Sequence, residues 1–373
     1  MIELRTGDRR AAFQAPFTAY DPASPYVSPM WSDLDRILDP ARNPLVTGGH
    51  GRFEVLTAHR GDRVLGRIVA CVHDASNRRH GTTRGQFGFF DCVDDPKVSS
   101  RLLAAAETWV AQRGATEIAG NFNLTAMQMV GVMTDGFEHA PYTDMMWTAP
   151  HMAALLERAG YERTFPITTF DNDIGAVDCA ALAGPRQQAI AADTDFTWHP
   201  ITRLNFKRSM EDARVVLNQS FDANPMFVPL TRDEFQFQAG EMMWILDPRL
   251  SVIVHHRGRP AGVIVCIPDL NPVMRASGSR ITWRTPWHLL KHRFTRDRAV
   301  IIYYAVIPEL HGRGLNGAML ARLLTAAKAA GYRRIGGTWI ADVNAASLRQ
   351  VELTGAKPLH RLHLFRKSLV AAS

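Results

Sequence analysis

Apolar runs punctuated by glycine arrange this chain as two similar series. Residues leading to His59-Arg60-Gly61 and on from Gly66-Arg67-Ile68-Val69 predict a strand, a tight turn and a strand, and His256-Arg257-Gly258 with Gly262-Val263-Ile264-Val265 repeats the design. Arg101-Leu102-Leu103 opens a helical run closed by Gly114 and followed by Ile118. Arg322-Leu323-Leu324 runs likewise to Gly331 and Ile335, with the same step of four residues from glycine to isoleucine. A third match pairs Glu157-Arg158-Ala159-Gly160-Tyr161 with Glu352-Leu353-Thr354-Gly355-Ala356, each a short helix stopped by glycine before a closing strand. Three matches in one order divide the chain into related α/β halves, 1–175 and 195–373, joined by a linker at 176–194. From hairpin glycine to helix-end glycine the interval is 53 residues in the first half (61 to 114) and 73 in the second (258 to 331). The second half therefore carries an insertion.

Residues 299–306 read as a buried strand, and Ile307-Pro308 ends it because proline cannot continue a ladder. Glu309-Leu310-His311-Gly312-Arg313-Gly314-Leu315-Asn316-Gly317 comes next, then an apolar helix with Met319, Leu320, Leu323, Leu324 and Ala327. Strand, glycine-rich turn and helix form a cradle for a diphosphate, since glycines let successive N–H groups converge on one anion and the helix start adds partial positive charge. An ordinary glycine-containing turn has the same local pattern. The downstream elements favour the cradle: a strand over 333–340, then Asn344, a helix to Gly355 and a final strand over 359–365. In the first half the strand at 86–93 leads instead into Asp94-Asp95-Pro96-Lys97-Val98-Ser99, where carboxylates repel phosphate. That copy is expected to bind no phosphate and to serve as scaffold or as part of an acceptor cleft; Asn121, Asn123 and Tyr142 either line that cleft or have a purely structural role.

Composition narrows the setting. Of 373 residues, 46% are hydrophobic and 21% charged, which suits a folded chain and excludes a disordered one. Cys71, Cys92, Cys179 and Cys266 lie far apart, with neither a zinc clamp nor a disulfide framework, so a reducing cytoplasm is expected. Residues 1–14 hold no apolar segment of an export signal, and the longest apolar run, 299–308, is far short of the roughly 20 residues that span a bilayer. A formal charge of +7 brings in nucleic acid, acidic lipid or a phosphorylated cosubstrate as partners, beside a plain arginine-rich composition with no binding meaning.

On the loop His311-Gly312-Arg313-Gly314-Leu315-Asn316 the second half resembles the GNAT superfamily of acyl-CoA-dependent N-acyltransferases, whose loop is commonly Gln/Arg-x-x-Gly-x-Gly/Ala. It departs at the first and last positions. The resemblance extends more weakly to the first half and implies an α/β fold of two tandem GNAT-like domains, with mixed central sheets flanked by helices. Residues 1–175 would be a degenerate copy without a CoA loop, and 195–373 the catalytic copy. By the same resemblance, His311, Gly312, Arg313, Gly314, Leu315 and Asn316 hold the diphosphate of acyl-CoA. The preceding strand splays to pair with the pantetheine arm through Tyr304, Ala305, Val306 and Ile307, and Asn344 is the asparagine after the next strand. No metal is implied.

N-acylation needs a free amine, and a lysine-like amine with a pKa near ~10 is mostly protonated at neutral pH. A base must take that proton, and the leaving thiolate needs one. The tyrosine that many GNAT members place in the helix after the asparagine is Val351 here. Asp342 stands at the carboxyl end of a predicted central strand, where α/β sheets place ligands, and is the preferred base; a turn or helix-cap aspartate is the plain alternative. Tyr303, Tyr304, Glu241, His360 and His363 are further acid/base candidates, with His360 and His363 on opposite faces of the last strand.

The insertion, 272–298, interleaves Trp283, Trp287, Leu289, Leu290 and Phe294 with Arg275, Arg280, Arg284, Lys291, Arg293, Arg296 and Arg298. Such a mixture suits the headgroup zone of an anionic membrane, or a lid whose arginines meet solvent or CoA phosphates. A second stretch, Met226, Phe227, Val228, Phe235, Phe237 and residues 242–246, suits a lipid tunnel or plain core. With the tandem arrangement, Trp339-Ile340-Ala341-Asp342-Val343-Asn344 and His360-Arg361-Leu362-His363, the chain is similar to a branch of bacterial tandem GNAT proteins that includes the ceramide synthases. This implies a long-chain acyl-CoA donor and a sphingoid-base acceptor, no nucleic acid, and a cytoplasmic protein peripheral on the inner face of the membrane. The alternatives are an acetyltransferase of a small polar amine, a transferase using aminoacyl-tRNA, and a non-catalytic CoA-binding sensor.

Overall fold

Each of the two repeated hairpins forms the centre of a mixed sheet. The structure is a computed structural model and describes residues 1–124, 129–222 and 227–370. The chain divides into a first unit, Met1–Thr168, Asn271–His292 and Leu359–Ser373, and a second, Thr169–Leu270 and Arg293–Pro358. The units therefore do not follow one cut in the sequence. Much of the insertion, and the strand that ends the chain, pack with the first repeat.

The first unit contains β1 (Glu3–Thr6), β2 (Arg52–Arg60), β3 (Arg63–Val72), β4 (Arg84–Cys92), β5 (Glu117–Gly120) and β6 (Val132–Asp135); β7 (Glu162–Asp173) then leads into the second unit. The second contains β8 (Phe196–Pro200), β9 (Val252–His256), β10 (Arg259–Pro268), β11 (Arg298–Val306) and β12 (Arg334–Ala341). The last strand, β13 (Lys357–Ser368), returns to the first. Strand order is β1-β2-β3-β4-β5-β13 in the first unit and β12-β11-β10-β9-β8 in the second. In each sheet one pair is parallel, β4 with β5 and β11 with β12, while the neighbouring hairpins are antiparallel.

Alternation along the strands explains the helical layers. In the first unit Val69 and Cys71 of β3 share a cluster with Phe13 of the helix Arg9–Ala19, whereas Ile68 and Ala70, also buried, point the other way. The helix Pro96–Ala111 packs against that same strand. In the second unit Val252, Val254, Ile264 and Cys266 face Leu315, Met319, Leu323 and Leu324 of the helix Leu315–Ala329. Gly262 shares this face because a Cβ there would lie 3.0 Å from the Met319 sulfur, so its missing side chain sets how closely the helix approaches.

One ion pair lies inside the first unit. Arg67 and Asp91 meet at 2.6 Å with side chains 4% and 7% exposed, Arg67 Nη1 donates to the Ala12 carbonyl at 2.8 Å, and the Tyr20 hydroxyl donates to Asp91. Removing one member strands the other charge in an apolar setting. Asp91→Ala is expected to lower stability in urea unfolding by about 3–5 kcal/mol, and the combined replacement R67M/D91L/Y20F by much less. Equal losses would mean that the pair stabilises by attraction instead of satisfying a buried charge.

Candidate functional site

The second unit opens where a parallel ladder stops. β11 and β12 pair over only four positions, Arg298 with Arg334 through Ile301 with Gly337. At the next residue β11 bulges: Val265 of β10 faces Tyr303 and Cys266 faces Ile301, leaving Ile302 as the extra residue. A bulge bends its strand and increases local twist. From there to Val306 and Ala341 no shared register between the two strands is seen among the described residues.

The glycine loop lies beyond this opening. Gly312 and Gly314 have φ of +73° and +102°, and Gly314 begins the helix Leu315–Ala329 with no side-chain cap. First-turn N–H groups of a helix have no acceptor within it. The carbonyls of the same region are satisfied by protein donors. Val306 accepts from the Ser220 hydroxyl and from the His311 ring Nε2, both at 2.8 Å. Asn316 accepts from the Tyr304 hydroxyl at 2.6 Å, and Gly312 from Arg186 Nη1 at 3.3 Å. Ile307 N–H donates to the Ala261 carbonyl, and Arg313 N–H to Leu310. Leu315 is core, Arg313 is exposed, and the buried Asn316 Oδ1 has no partner. With the Val306, Gly312 and Asn316 carbonyls occupied and its helix uncapped, the loop presents main-chain donors to an incoming group, and these residues fit a diphosphate.

The first unit has the same backbone plan with the donors used internally. β4 and β5 also pair over four positions and then stop. There the Asn123 side chain accepts from Phe89 N–H at 2.9 Å and the Asn121 side chain from Phe90 N–H at 3.2 Å, while Asn121 Nδ2 donates to Asn123 at 3.0 Å. At the helix start, the Asp95 carboxylate accepts from Lys97 N–H. An internal carboxylate occupies the position open to an external anion in the second unit. Tyr142 is fully buried.

The remaining sequence candidates fall in several places. Tyr304 is tied by its hydroxyl to the loop helix, and burial pushes its pKa well above the usual tyrosine range, so it holds β11 to the loop. Asp342 is exposed in the turn after β12; two residues on, Asn344 caps the helix Ala345–Thr354 by accepting from Ser347 N–H at 3.1 Å. Glu241 is exposed where the helix Arg232–Ala239 gives way to Met242–Ile245, outside the hydrogen-bonded loop set. His360 belongs to the first unit: it is buried, its Nε2 bonds to the His139 carbonyl at 3.1 Å, and burial lowers its pKa. His363, in the same unit, bonds to Thr134. In the apolar stretch Phe227, Phe235 and Leu246 are core, Trp244 is exposed, and Met226 lies outside the described residues. Sequence reading missed Ser220 and Arg186. A Gly184-Pro185 helix start in the linker is the one local signal that would have drawn attention to Arg186. Among the described residues no group of three or more His, Cys, Asp or Glu is placed to hold a metal ion.

These features make up a two-domain, tandem GNAT-like α/β fold. Residues 218–352 match the Acetyltransferase (GNAT) family. Two relatives extend along nearly the whole chain. Protein YghO of Escherichia coli (strain K12) is 24% identical over 372 residues, 98% of this chain and 94% of its own. The bacterial ceramide synthase of Caulobacter vibrioides (strain NA1000 / CB15N) is 24% identical over 370 residues, 97% of this chain and 94% of its own. Among solved structures, a tandem GNAT protein from the clavulanic acid biosynthesis pathway superposes with a TM-score of 0.60 at 14% identity, covering 100% of both chains. A GCN5-related N-acetyltransferase from Sphaerobacter thermophilus gives 0.51 at 12% identity, covering 100% of this chain and 97% of its own. These two likenesses concern the fold alone.

The loop geometry makes a direct prediction. A β-branched residue at Gly314 meets a positive φ that costs about 1–3 kcal/mol, and its Cβ would stand 2.9 Å from the Arg186 Cγ. Gly314→Val is expected to weaken CoA binding in calorimetry by about tenfold or more while leaving the circular dichroism spectrum unchanged. Wild-type affinity in this variant would exclude the loop as the binding element.

Proposed function

We propose that this protein is an acyl-CoA-dependent N-acyltransferase that joins a long-chain fatty acyl group to the amine of a sphingoid base, the reaction of bacterial ceramide synthesis. The observation that carries the acyl-CoA part is the parting of β11 from β12 beside a glycine loop whose helix starts uncapped. The similarity to the Caulobacter vibrioides ceramide synthase over nearly the full chain supports the lipid acceptor.

When bound, acyl-CoA supplies an activated thioester carbonyl. Residues 312–316 grip the diphosphate, and the free edge of β11 aligns the pantetheine arm. Asp342, exposed where β12 has separated from β11, takes the proton from the acceptor ammonium. The amine nitrogen attacks the carbonyl carbon, a main-chain N–H on β11 stabilises the oxyanion, and the C–S bond breaks as the amide forms. After attack the nitrogen sheds its second proton, and the departing sulfur takes up one proton to become the CoA thiol, so that one proton remains on Asp342 and one on sulfur. Tyr304 serves by position, holding the end of the strand against the loop helix.

Purified protein incubated with acyl-CoAs of graded length and a panel of long-chain and small amines is expected to yield amides of long acyl chains on long-chain amines, identified by mass spectrometry. Products only from acetyl-CoA and small polar amines would replace this reading with small-amine acetylation. No turnover with any donor would leave a CoA-binding module. Asp342→Asn is expected to lower kcat by about 10²–10⁴ while CoA affinity stays unchanged.

The insertion supports contact with the membrane that holds such an acceptor. On the helix Thr285–Thr295, Trp287, Leu290 and Phe294 follow helical spacing along one exposed face; Ile281, Trp283 and Leu289 are exposed as well, and His292 turns inward. Trp283 is 83% and Phe294 79% exposed, among the exposed cations Arg280, Arg284, Lys291 and Arg293. Aromatic rings that enter the acyl boundary beside cations that meet lipid phosphates make an interfacial anchor. Among the described residues no helix is long and apolar enough to cross a membrane, so the contact would be peripheral. In flotation assays the protein is expected to bind phosphatidylcholine vesicles containing phosphatidylglycerol and to bind pure phosphatidylcholine much less. W283E/W287E/F294E should stay in the soluble fraction with its CoA binding intact. Equal recovery of wild type and variant with vesicles would remove this surface from the proposal.

A further inference from the structure

The segment joining the two repeats packs along the second unit. Cys179, Leu182 and Ile190 lie against the core cluster that includes Leu315 and Met319, and Lys328 Nζ donates to the Gly175 and Val177 carbonyls. This anchoring brings the start of the helix Pro185–Ala192 over the glycine loop. A Cβ added to Gly317 would lie 2.9 Å from Gln187 Nε2, and one added to Gly314 the same distance from Arg186 Cγ, so both approaches depend on glycine. Arg186 is exposed and donates one hydrogen bond, to the Gly312 carbonyl at 3.3 Å. Among the described residues it has no carboxylate partner.

An arginine has five N–H donors in a planar fork suited to two phosphate oxygens. Here its stem crosses the loop at Gly314 and most of its donors are uncommitted. The main-chain N–H groups after Gly314 carry only partial charge, and a full cation held a residue or two away supplies what a dianionic diphosphate still lacks.

We infer that Arg186, carried by the helix between the repeats, closes over the glycine loop as a side-chain ligand of the CoA diphosphate. This rests on reading the loop as a CoA site and adds to it a cation from outside the matched GNAT segment, 218–352. The linker thereby becomes part of the donor site, and a catalytic half cut away from it at residue 195 would bind CoA poorly.

The test uses the full chain and measures binding. CoA and 3′-dephospho-CoA, both of which keep the diphosphate, are titrated calorimetrically into wild type, Arg186→Gln and Arg186→Lys. Arg186→Gln is expected to bind each ligand about tenfold more weakly, with a shallower dependence on salt, and Arg186→Lys to recover part of the loss. Melting temperatures should be unchanged because the side chain is exposed. Affinity in Arg186→Gln equal to or tighter than wild type would overturn the inference, the tighter result identifying the guanidinium as an obstruction. Equal losses in the Gln and Lys variants would also overturn it, since a role in packing is indifferent to charge. Absence of CoA binding in the wild type would instead bring down the reading of the loop itself.

Discussion

A parallel strand pair that separates must dispose of its main-chain hydrogen bonds, and the two units of this protein differ chiefly in how they do so. Buried N–H and C=O groups without partners are costly, so a parted ladder persists only where something else satisfies it. In the first unit the carboxamides of Asn121 and Asn123 enter the gap and take the Phe89 and Phe90 N–H groups. In the second, Ser220 and His311 donate to the Val306 carbonyl at the end of β11, and beyond the strand Arg186 and Tyr304 donate to the Gly312 and Asn316 carbonyls of the loop. The uncapped start at Gly314 leaves the amides as the groups on offer. A surface that offers more main-chain donors than acceptors prefers anions and carbonyl oxygens, the groups found along the diphosphate and pantetheine of CoA.

That difference gives the duplication a physical meaning. Both copies keep the hairpin, the short parallel pairing and the following helix, because these bury the apolar faces of the sheets. Asp95 caps one helix from within and Gly314 leaves the other uncapped, so a carboxylate and a phosphate are alternative solutions to the same excess of N–H donors. One copy meets these donors with its own carboxylate, and the other leaves them open to the ligand proposed above.

The repeat, the helix-stopping glycines and the loop were legible because each is written in a short stretch whose spacing reflects local geometry. The positive φ at Gly114, Gly160, Gly331 and Gly355 follows directly from the helix ends predicted there. Alternation likewise put His360 and His363 on opposite faces, and the structure buries His360 beneath the His139 carbonyl. What local pattern could not reveal are partnerships between distant segments. β13 completes the sheet of the first unit, with Phe365 opposite Gly120, although it is written at the end of the second repeat. Residues 271–292 also pack with the first unit, where Ser279 donates to Ser28 and Arg275 to Ser24 and Tyr26. From sequence Asn121 and Asn123 suit either a cleft lining or a purely structural role, because nothing nearby in the chain shows which N–H groups they meet. Asp342 and Asn344 stand two apart, and capping potential alone did not say which would cap the next helix; the structure gives that role to Asn344.

The exposed face of the insertion and the proposed acceptor account for each other. A folded protein loses solubility by leaving several large apolar side chains in water, and such patches mark surfaces that meet a partner. A single-chain amphiphile gains about 0.8 kcal/mol per buried methylene and so resides in a bilayer, leaving little free in solution for an enzyme to capture. Acylation of such an amine then requires the catalyst to reach the interface while keeping a water-soluble, highly anionic donor. Cations spread among the rings suit the first demand, since each Lys or Arg near an anionic surface contributes about 1 kcal/mol. Donors gathered at the glycine loop suit the second. A small polar amine would impose the second demand only, and Trp283, Trp287 and Phe294 would then be exposed without a reason in the chemistry.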